Sequence, residues 1–516
     1  MSHHRLLASA LTLAIAAALA GCATTPAGDA KTAQSESMPE TAANPLFAPS
    51  PLQWQYPQFD KIKIEHFAPA FDRGMEEERV EFEAIAGNPE APTFENTIVA
   101  MERTGQTLGR TLAVFSGLNA TNTNDALQKL QAEYAPKFSA HRDAISLNPA
   151  LFARVKTVYD NRNQLGLDAE SLRLVEEYYD DFVRAGANLT PEQKERVKAM
   201  NSEMATLSTK FNQNVLAEVN DSAIVVDDRG ELVGLSDEQI QVLADAAKAK
   251  GQEGKYRIAL LNTTGQPLLG QLQNRALRER IMKASLARGS RGNQWDNREI
   301  VSRVAKLRAE RAAIMGYPNY AAFSLQNQTA KTPEAVNQML SQLAPAAVAN
   351  ARKEGEKLQA MIDAEQKAKG EPTFKLQPWD WDFYTEKVRK AEYDFDENEL
   401  KPYLELDNVI ENGVFKFVGD FYGVTFKPRP DLPTYHPDVK TYEAFNADGS
   451  ELALIVVDPF ARPSKRGGAW MSSYVQQSDL LGNKPVVAFH LNVTKPSEGK
   501  PALMTWDDVN TAFHEF

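Results

Sequence analysis

The run TPEQKERVKAMNSEMATLSTKFNQNV at residues 190–215 carries the clearest structural signal in the chain. Its first residues, Thr190 to Gln193, have the pattern of a helix capping box with proline in the first turn. Apolar side chains then recur at helical spacing in one stripe: Val197, Met200, Met204, Leu207, Phe211 and Val215. The run therefore predicts a long amphipathic helix that buries this stripe in a hydrophobic core.

Helical periodicity continues over most of the chain from about residue 52 onward. A second long helix is predicted to begin at Asp296–Glu299 and to end at Gly316, and its buried face contains Ile300, Val304, Leu307 and Ile314. Further helices are predicted over 66–86, 94–116, 124–145, 168–186, 236–250, 270–288, 333–365 and 380–393. Because helical segments cover most of the chain, the predicted fold class is mainly α. No fixed repeat period is evident, which argues against a regular solenoid.

The sequence pattern changes after about residue 420. Residues 440–445 and 451–457 are rich in β-formers and flank a turn sequence that is typical of a hairpin. An apolar run at 485–493 predicts another strand, and Thr505, with Asp508 as its capping partner, predicts a helix that runs to the last residue. We therefore expect a small antiparallel sheet beside a terminal helix, as a platform for a site. The plainer alternative is a hairpin without function.

Length and composition limit the classes of protein that the chain can be. Its 516 residues exceed what one hydrophobic core supports, about 250–300 residues, so two large lobes are expected. An apolar fraction of 43% and a charged fraction of 24% are typical of a soluble globular protein and exclude collagen-like, wholly disordered and polytopic membrane proteins. The formal net charge of −12 argues against nucleic acid as a partner, because phosphate binding requires a basic surface.

The only cysteine, Cys22, ends a segment that looks like a targeting signal. Residues 6–20 form an uncharged apolar run that is shorter than the ~20 residues of a membrane-spanning helix. The sequence Leu19-Ala20-Gly21-Cys22 resembles a bacterial lipobox, in which the chain is cut before the cysteine and the thiol carries lipid. We therefore predict a lipoprotein signal peptide over 1–21 and lipidation of Cys22. The alternative is an ordinary signal peptide with an incidental cysteine.

Residues 23–51 are small, polar and rich in proline, so they bury too little apolar surface to fold. We predict a disordered tether over 22–51. Ala23, directly after the cysteine, resembles the pattern that favours retention of lipoproteins at the outer membrane. The expected location is therefore the bacterial cell envelope, lipid-anchored at the outer membrane and facing the periplasm, with the anchor as the only membrane contact.

The last residues, Phe513-His514-Glu515-Phe516, carry the candidate chemistry. On a helix that turns about 100° per residue, one apolar stripe contains Val509, Ala512, Phe513 and Phe516. His514 lies about 140° from Val509. A zinc-binding H-E-x-x-H motif needs two histidines four residues apart, with the glutamate between them as general base. The chain contains the first three letters of that motif, and an incidental His-Glu pair on the surface is the alternative.

Segments along the whole chain resemble the thimet oligopeptidase family of zinc peptidases. The segments are Gln377–Trp381, Leu400–Tyr403, Asn412–Phe415, Tyr435–Val439, Phe460–Arg462, Ser464–Met471, Lys484–Val487 and Thr511–Phe516, with Pro92–Ile98 and Asn262–Pro267 in the N-terminal half. They occur in the order that the family has, from about residue 52 to the end. Within the family, they are closer to the peptidyl-dipeptidase branch than to the oligopeptidase branch.

The resemblance implies a mainly α protein in which two helical lobes surround a deep substrate channel, with a small antiparallel β-sheet beside the zinc helix. The implied domains are an N-terminal helical domain at 52–270 and the N-terminal part of the catalytic domain at 271–516. By the same resemblance, His514 is the first histidine ligand of a single Zn²⁺ and Glu515 is the catalytic glutamate. The other ligands would follow Phe516, so we expect an incomplete zinc site and no activity in the 516-residue chain alone.

The implied reaction of the intact protein is zinc-dependent hydrolysis of short unfolded peptides, with release of C-terminal dipeptides. A monomer is expected, with peptides as its partners. Two alternatives stay open. One is an endo-acting oligopeptidase of the same family, and the other is a non-catalytic, membrane-tethered protein that binds peptides.

Other residues are candidates for the walls of the channel. Gly467 and Gly468 would let a peptide backbone approach closely, with an edge strand pairing to it. His436 is a further candidate, although a structural hydrogen bond is favoured for it. Lys465 and Arg466 are interpreted as a solvated basic pair in preference to a pair that binds a carboxylate. The remaining histidines that we considered, His66, His141 and His490, are assigned no ligand role.

Overall fold

The computed structural model describes residues 44–260, 266–394 and 397–516. Most of the described chain is helical, which confirms the mainly α fold class. The predicted signal peptide, Cys22 and residues 22–43 of the predicted tether lie outside the described residues, as does most of the segment Asn262–Pro267. The described chain is packed from its first residues, since Leu46 is buried in a short 3-10 helix that Asn44 caps.

Among the described residues, the α-helices are α1 (Phe67–Ala86), α2 (Ala100–Glu102), α3 (Gln106–Thr121), α4 (Asp125–Ser146), α5 (Pro149–Asn161), α6 (Ala169–Ala185), α7 (Pro191–Asp221), α8 (Asp237–Lys248), α9 (Arg275–Ala287), α10 (Arg298–Ile314), α11 (Tyr320–Leu325), α12 (Pro333–Lys369), α13 (Trp381–Tyr393), α14 (Glu397–Leu400), α15 (Leu406–Asn408), α16 (Lys416–Tyr422) and α17 (Trp506–Glu515). In the described part of the chain, none of these helices is both long and apolar enough to span a membrane.

The strands are β1 (Ile224–Val226), β2 (Tyr256–Ile258), β3 (Thr425–Pro428), β4 (Lys440–Phe445), β5 (Glu451–Phe460), β6 (Trp470–Val475) and β7 (Val486–Val493). Strands β1 and β2 form a two-stranded antiparallel sheet. The other five form one sheet in the order β3-β4-β5-β7-β6, in which β3, β4 and β5 are antiparallel neighbours. The predicted hairpin is therefore confirmed as β4 and β5, and the predicted third strand as β7.

Helix α7 begins as the sequence predicts. The Thr190 side chain accepts a hydrogen bond from the backbone N–H of Gln193, and the Gln193 side chain accepts one from the N–H of Thr190. These two bonds satisfy donors that would otherwise be orphaned in the first turn, so the helix has a defined start at Pro191.

The buried face of α7 changes character towards its C-terminal end. The predicted apolar stripe is wrong for Val215, which is 38% exposed, whereas Asn214 and Glu218 are buried. The Asn214 amide donates to Asn297 at 2.9 Å, and Arg291 donates to the Glu218 carboxylate at 2.5 Å. Polar groups can be buried at these positions because they have partners on a neighbouring segment, which hydrophobic periodicity does not reveal.

Two predicted helices have different limits in the structure. The predicted helix over 94–116 is divided into a π-helical turn, Phe94–Val99, the short α2, and α3. Gly105, with φ of +71°, precedes α3, and this left-handed conformation interrupts a right-handed helix. The helix predicted from residue 270 begins at Arg275, where the Asn274 side chain accepts from the N–H of Leu277 and caps it.

The chain divides into two compact units. The first contains the described residues up to Gly117, together with His141–Asn188 and Tyr474–Val486. Its core joins α1, α5 and α6 through buried apolar side chains: Phe82, Ile85, Leu151, Val155, Val175 and Phe182. His141 Nε2 lies 2.5 Å from Glu78 Oε2 in this unit, a contact that fits a structural histidine.

The second unit contains Leu118–Ala140, Leu189–Ser473 and Val487–Phe516. One face of the five-stranded sheet packs against residues 404–415 and against α17. The core between them includes Phe415, Tyr442, Ile455, Phe489, Leu491, Val509 and Ala512. This packing places the terminal helix beside the sheet, as the sequence predicts.

Candidate active site

Helix α17 carries the His-Glu pair and is held at its N-terminus by a capping box. Thr505 Oγ1 accepts from the N–H of Asp508 at 3.1 Å, and Asp508 Oδ2 accepts from the N–H of Thr505 at 2.9 Å. Val509 and Ala512 are buried against the sheet. Both the cap and the apolar face therefore fix the direction in which the last turn presents its side chains.

The apolar stripe predicted on α17 is wrong for Phe513, which is 39% exposed. Phe516 packs into the core, with its ring centroid 5.4 Å from that of Phe415. Phe513 lies about 40° from Val509 on the side away from Ala512, so it falls at the edge of the stripe and not at its centre. The stripe that anchors the helix is therefore narrower than the sequence predicts.

A cleft of about 1280 Å³ lies in the second unit. Helix α17 contributes Asp507, Asp508 and Thr511 to its lining, and the sheet contributes Leu491–Val493. Gly468 and Ala469, just before β6, line it as well, and most other lining residues come from α9, α12 and α13. Sites for small molecules usually have about 300–1,000 Å³, so this cleft has room for an extended peptide of several residues.

His514 follows the lining residues of α17 along the same helix face. Asp507, Thr511 and His514 are spaced i, i+4 and i+7, a spacing that places them in one row. The lining residues do not include His514 or Glu515 themselves. His514 is exposed and Glu515 is half-buried, so both side chains are accessible one turn beyond the part of the helix that faces the cleft.

A buried carboxylate fixes another wall of the cleft. Asp380, which is fully buried, accepts hydrogen bonds from Arg275 at 2.8 Å and from Arg278 at 2.9 Å. Arg278 is itself buried and also donates to the backbone carbonyls of Leu272 and Trp379. Both arginines line the cleft, so this group gives the wall a fixed shape. In the sequence, Asp380 stands out only as part of the family segment Gln377–Trp381, and its partners Arg275 and Arg278 lie about 100 residues earlier.

The structure separates the weaker site candidates. Gly468 lines the cleft with a φ of +85°, and a Cβ added there would meet no atom within 4 Å. Gly467 is exposed and is not a lining residue. His436 is not a lining residue either: its Nδ1 accepts from the N–H of Asp438 at 3.2 Å, a structural hydrogen bond. Burial, together with the charge of Arg462, lowers the pKa of His436 below its usual value.

The interpretation of Lys465 as a solvated residue is wrong. Its side chain is 0% exposed and forms an ion pair with Asp458, at 3.1 Å. Arg466, in contrast, is exposed, and its guanidinium lies 4.1 Å from the ring centroid of Trp470. The sequence contains a signal, because Asp458 is the only charged residue in the run 452–460, and a buried carboxylate needs a cationic partner.

His490 is also fully buried, on β7. Its ring stacks on Trp470 with centroids 4.6 Å apart, and its Nε2 lies 2.9 Å from Ser472 Oγ. Burial lowers the pKa of His490, which favours the neutral imidazole. These contacts give His490 a structural role in the sheet.

The described residues provide only part of the set of side chains that a metal ion would need. Within the ranges that the structure describes, no three His, Cys, Asp or Glu side chains come together in a way that could hold a metal ion. His514 offers an accessible imidazole on a helix that is capped and packed against the sheet, which fits one nitrogen ligand of a zinc site. The described residues therefore fit a zinc ion at one ligand position and leave the other ligands unassigned.

Comparison with known proteins supports a peptidase. Residues 268–516 match Peptidase family M3. Two similar proteins are named dipeptidyl carboxypeptidase: that of Escherichia coli is 44% identical over 476 residues, and that of Salmonella typhimurium is 45% identical over 475 residues. Oligopeptidase A of Escherichia coli is 31% identical over 480 residues. Each of these alignments covers 92% of this chain and 69% of the relative.

The match to Peptidase family M3 and the similarity to two dipeptidyl carboxypeptidases identify a hydrolase that acts on peptides. The chain belongs to peptidase family M3 and is a metallopeptidase. This confirms the resemblance to the thimet oligopeptidase family that the sequence segments indicate.

Proposed function

We propose that the protein is a zinc-dependent peptidyl-dipeptidase, which acts as a monomer and releases dipeptides from the C-terminus of short unfolded peptides. The observation that carries the proposal is the row on α17, where Asp507 and Thr511 line the cleft and His514 follows on the same face. The choice of branch is supported by 44–45% identity to two proteins named dipeptidyl carboxypeptidase, against 31% for oligopeptidase A.

The two residues of the motif would have separate tasks. His514 would hold the zinc ion through one imidazole nitrogen. Zinc, when bound, supplies a Lewis acid that makes a water molecule easier to deprotonate. Glu515 would take the proton from the attacking water and pass it to the nitrogen of the leaving dipeptide, as a general base and then a general acid.

The sheet side of the cleft would hold the peptide. Gly468 has no side chain between its backbone and the cleft, so a peptide main chain could approach it closely. Strand β6 begins directly after this wall and lies at one edge of the five-stranded sheet. Main-chain hydrogen bonds to such a strand are largely independent of side chains, which suits an enzyme that acts on varied short peptides.

The proposal is tested with an N-acetylated pentapeptide and the protein expressed from its own gene. We expect mass spectrometry to detect one dipeptide and one N-acetylated tripeptide, and we expect a chelator to stop the reaction until zinc is added back. The matched control is the same pentapeptide with a C-terminal amide, which should be cleaved far more slowly because an exo-acting enzyme requires the free carboxylate.

Other cleavage patterns would favour the alternatives. Internal cleavage that is unaffected by the C-terminal amide would identify an endo-acting oligopeptidase. Peptide binding without any cleavage, with zinc present, would identify a non-catalytic binding protein. Either result would contradict the proposal.

We also propose that Cys22, which lies outside the described residues, carries a lipid anchor that holds the protein at the outer membrane. The support comes from the sequence alone: Leu19-Ala20-Gly21-Cys22 for the lipid anchor, and Ala23 for the outer membrane. Membrane fractionation of cells expressing Cys22→Ser should find the variant as an unlipidated precursor that is lost from the outer-membrane fraction. A variant that partitions with that fraction as the parent does would show that the lipobox interpretation is wrong.

A further inference from the structure

Residues 461–469 form a segment that we name the cleft loop, because it joins β5 to β6 and ends in the cleft wall. The side chain of Lys465 is enclosed by this loop and the sheet, with 0% of its surface exposed. Its ammonium donates to the backbone carbonyls of Asp458 at 2.8 Å, Phe460 at 3.1 Å and Leu491 at 2.5 Å. An ammonium has three N–H donors, so the three carbonyls use all of them.

A buried carboxylate balances the charge inside the loop. Asp458 lies 3.1 Å from the Lys465 ammonium and accepts two hydrogen bonds from Arg462, at 2.8 and 2.6 Å. Tyr435 donates a further hydrogen bond to it at 2.7 Å. Burial alone would raise the pKa of Asp458, but the hydrogen bonds from Arg462 and the charge of Lys465 hold it well below its usual value. The carboxylate is therefore ionised, and the group is a paired, water-excluded cluster.

The same strand that receives Lys465 also holds the end of the loop. Asn492, next to Leu491 on β7, donates its amide hydrogens to the backbone carbonyls of Arg466, at 3.0 Å, and of Gly468. Leu491, Asn492 and Gly468 all line the cleft. Lys465 therefore binds strand β7 through Leu491, and the same strand binds the cleft-lining end of the loop through Asn492.

Ser472, His490 and Asp458 lie next to one another in space, in the order of the nucleophile, base and acid of a catalytic triad. The distance from His490 Nδ1 to Asp458 Oδ2 is 3.8 Å, which is too long for a hydrogen bond. The carboxylate is already paired with Arg462 and Lys465, so it offers little stabilisation to an imidazolium. The arrangement therefore supports the wall and does not activate Ser472.

We propose that Lys465 is a positioning residue for peptide binding: its ammonium holds carbonyls of β5 and β7 together and thereby sets the place of Gly468 in the cleft wall. The inference rests on the proposed function, because the peptide is placed along this wall. The positioning depends on one nitrogen atom that donates hydrogen bonds to three carbonyls. Methionine has a similar length but no donor, and the planar guanidinium of arginine keeps the charge but directs its donors apart.

The test compares the parent with Lys465→Met, Lys465→Arg and the control Lys440→Met, using the N-acetylated pentapeptide. Lys440 is an exposed lysine at the start of β4 that pairs with Asp407, so its loss should leave KM and kcat unchanged. In both Lys465 variants we expect KM to rise about tenfold while kcat changes by less than about threefold, since displacing the wall weakens binding more than the chemical step. If the parent shows no turnover, the dissociation constant of the peptide replaces KM.

Hydrogen exchange separates this inference from the proposed function, because it requires no turnover. We expect the amides of the cleft loop to exchange at least about tenfold faster in Lys465→Met, while β4 keeps the parent rate. A folded Lys465→Met protein with the KM and the exchange rates of the parent would overturn the proposal. So would a Lys465→Arg protein that behaves as the parent does, since charge alone would then suffice.

The parent protein provides a test even if the variants fail to fold. Two loop amides are hydrogen-bonded, that of Lys465 to the carbonyl of Arg462 and that of Arg466 to the carbonyl of Ala120. Both should be protected to the level of β5. If they exchange as rapidly as the hairpin turn at 446–449, the loop is not held and the proposal is wrong.

Discussion

Two polar groups in the second unit are built in opposite ways. At the end of α17, His514 is exposed and Glu515 is half-buried, and the two are adjacent in the sequence. In the cluster around Asp458, the charged side chains come from a strand and a loop. The side chain of Arg462 is 9% exposed and that of Lys465 is 0% exposed. The first group is accessible to a ligand, whereas the second is closed to water and shapes the surface that a ligand would meet.

Because of this difference in burial, substitutions in the two groups should have different effects on stability. A charge that is removed from water depends on its partners, so losing one partner in the buried cluster leaves the others uncompensated. An exposed side chain is solvated with or without a partner, so changing it should affect chemistry and leave stability almost unaltered.

The strongest test of the buried group is Asp458→Asn. The change keeps the shape of the side chain but removes the charge that Arg462 and Lys465 face, so we expect the free energy of unfolding to fall by about 3–5 kcal/mol. The matched control is Asp431→Asn, which breaks an Arg–Asp pair of similar geometry whose carboxylate side chain is 61% exposed. It should cost about 1 kcal/mol or less in the same urea titration. Equal losses in the two variants would remove the distinction between the groups.

The second test uses the pH dependence of stability. Burial lowers the pKa of Lys465 to about 8, below that of a lysine in the unfolded chain. Between pH 8 and the unfolded value of about 10.5, the unfolded state binds more protons, so this residue makes the free energy of unfolding rise with pH, by at most about 1.4 kcal/mol per unit. Lys465→Met should lack this increase. The check is the difference between parent and variant in urea titrations at several pH values, and a constant difference from pH 8 to 10 would contradict it.

The smallest effect is expected from the cap of the terminal helix. Thr505→Ala removes the acceptor for the N–H of Asp508 and should lower the free energy of unfolding by about 1 kcal/mol. Thr190→Ala removes the equivalent cap of α7 and should cost a similar amount. Because α17 lines the cleft, only Thr505→Ala should also raise KM. The same change in KM for both variants would mean that α17 has no special place in peptide binding.

Much of the fold was accessible from the sequence because local signals decide it. Capping boxes at Thr190 and Thr505, and the hairpin of β4 and β5, are patterns of neighbouring residues, and all three are confirmed. The errors occur where distant segments decide burial. On α7, Val215 is exposed and Glu218 is buried instead, because Arg291 faces it, and on α17 Phe513 is exposed because the core lies to one side of it.

The candidate site divides in the same way. His514 and Glu515 could be selected because the motif is contiguous and family segments surround it, and their roles stay a prediction. The sequence does not predict the burial of Lys465, because its partners, the carbonyls of three residues and the carboxylate of Asp458, are brought together only by the sheet. Gly468 lines the cleft and Gly467 does not, a difference for which the sequence contains no signal, and the role of Gly468 in peptide binding stays a prediction.

The proposed function assigns the proton transfer to Glu515 and the binding of the metal to His514. The decisive measurement is the kcat of Glu515→Gln for the N-acetylated pentapeptide, made on the protein expressed from its own gene together with the zinc content of the same samples. We predict a fall in kcat of about 10³-fold with zinc content unchanged, because a general base is lost and no ligand is. The control is Glu498→Gln, an exposed glutamate in the segment between β7 and α17, which should keep the parent kcat. A Glu515→Gln protein that turns over the peptide at the parent rate would contradict the account.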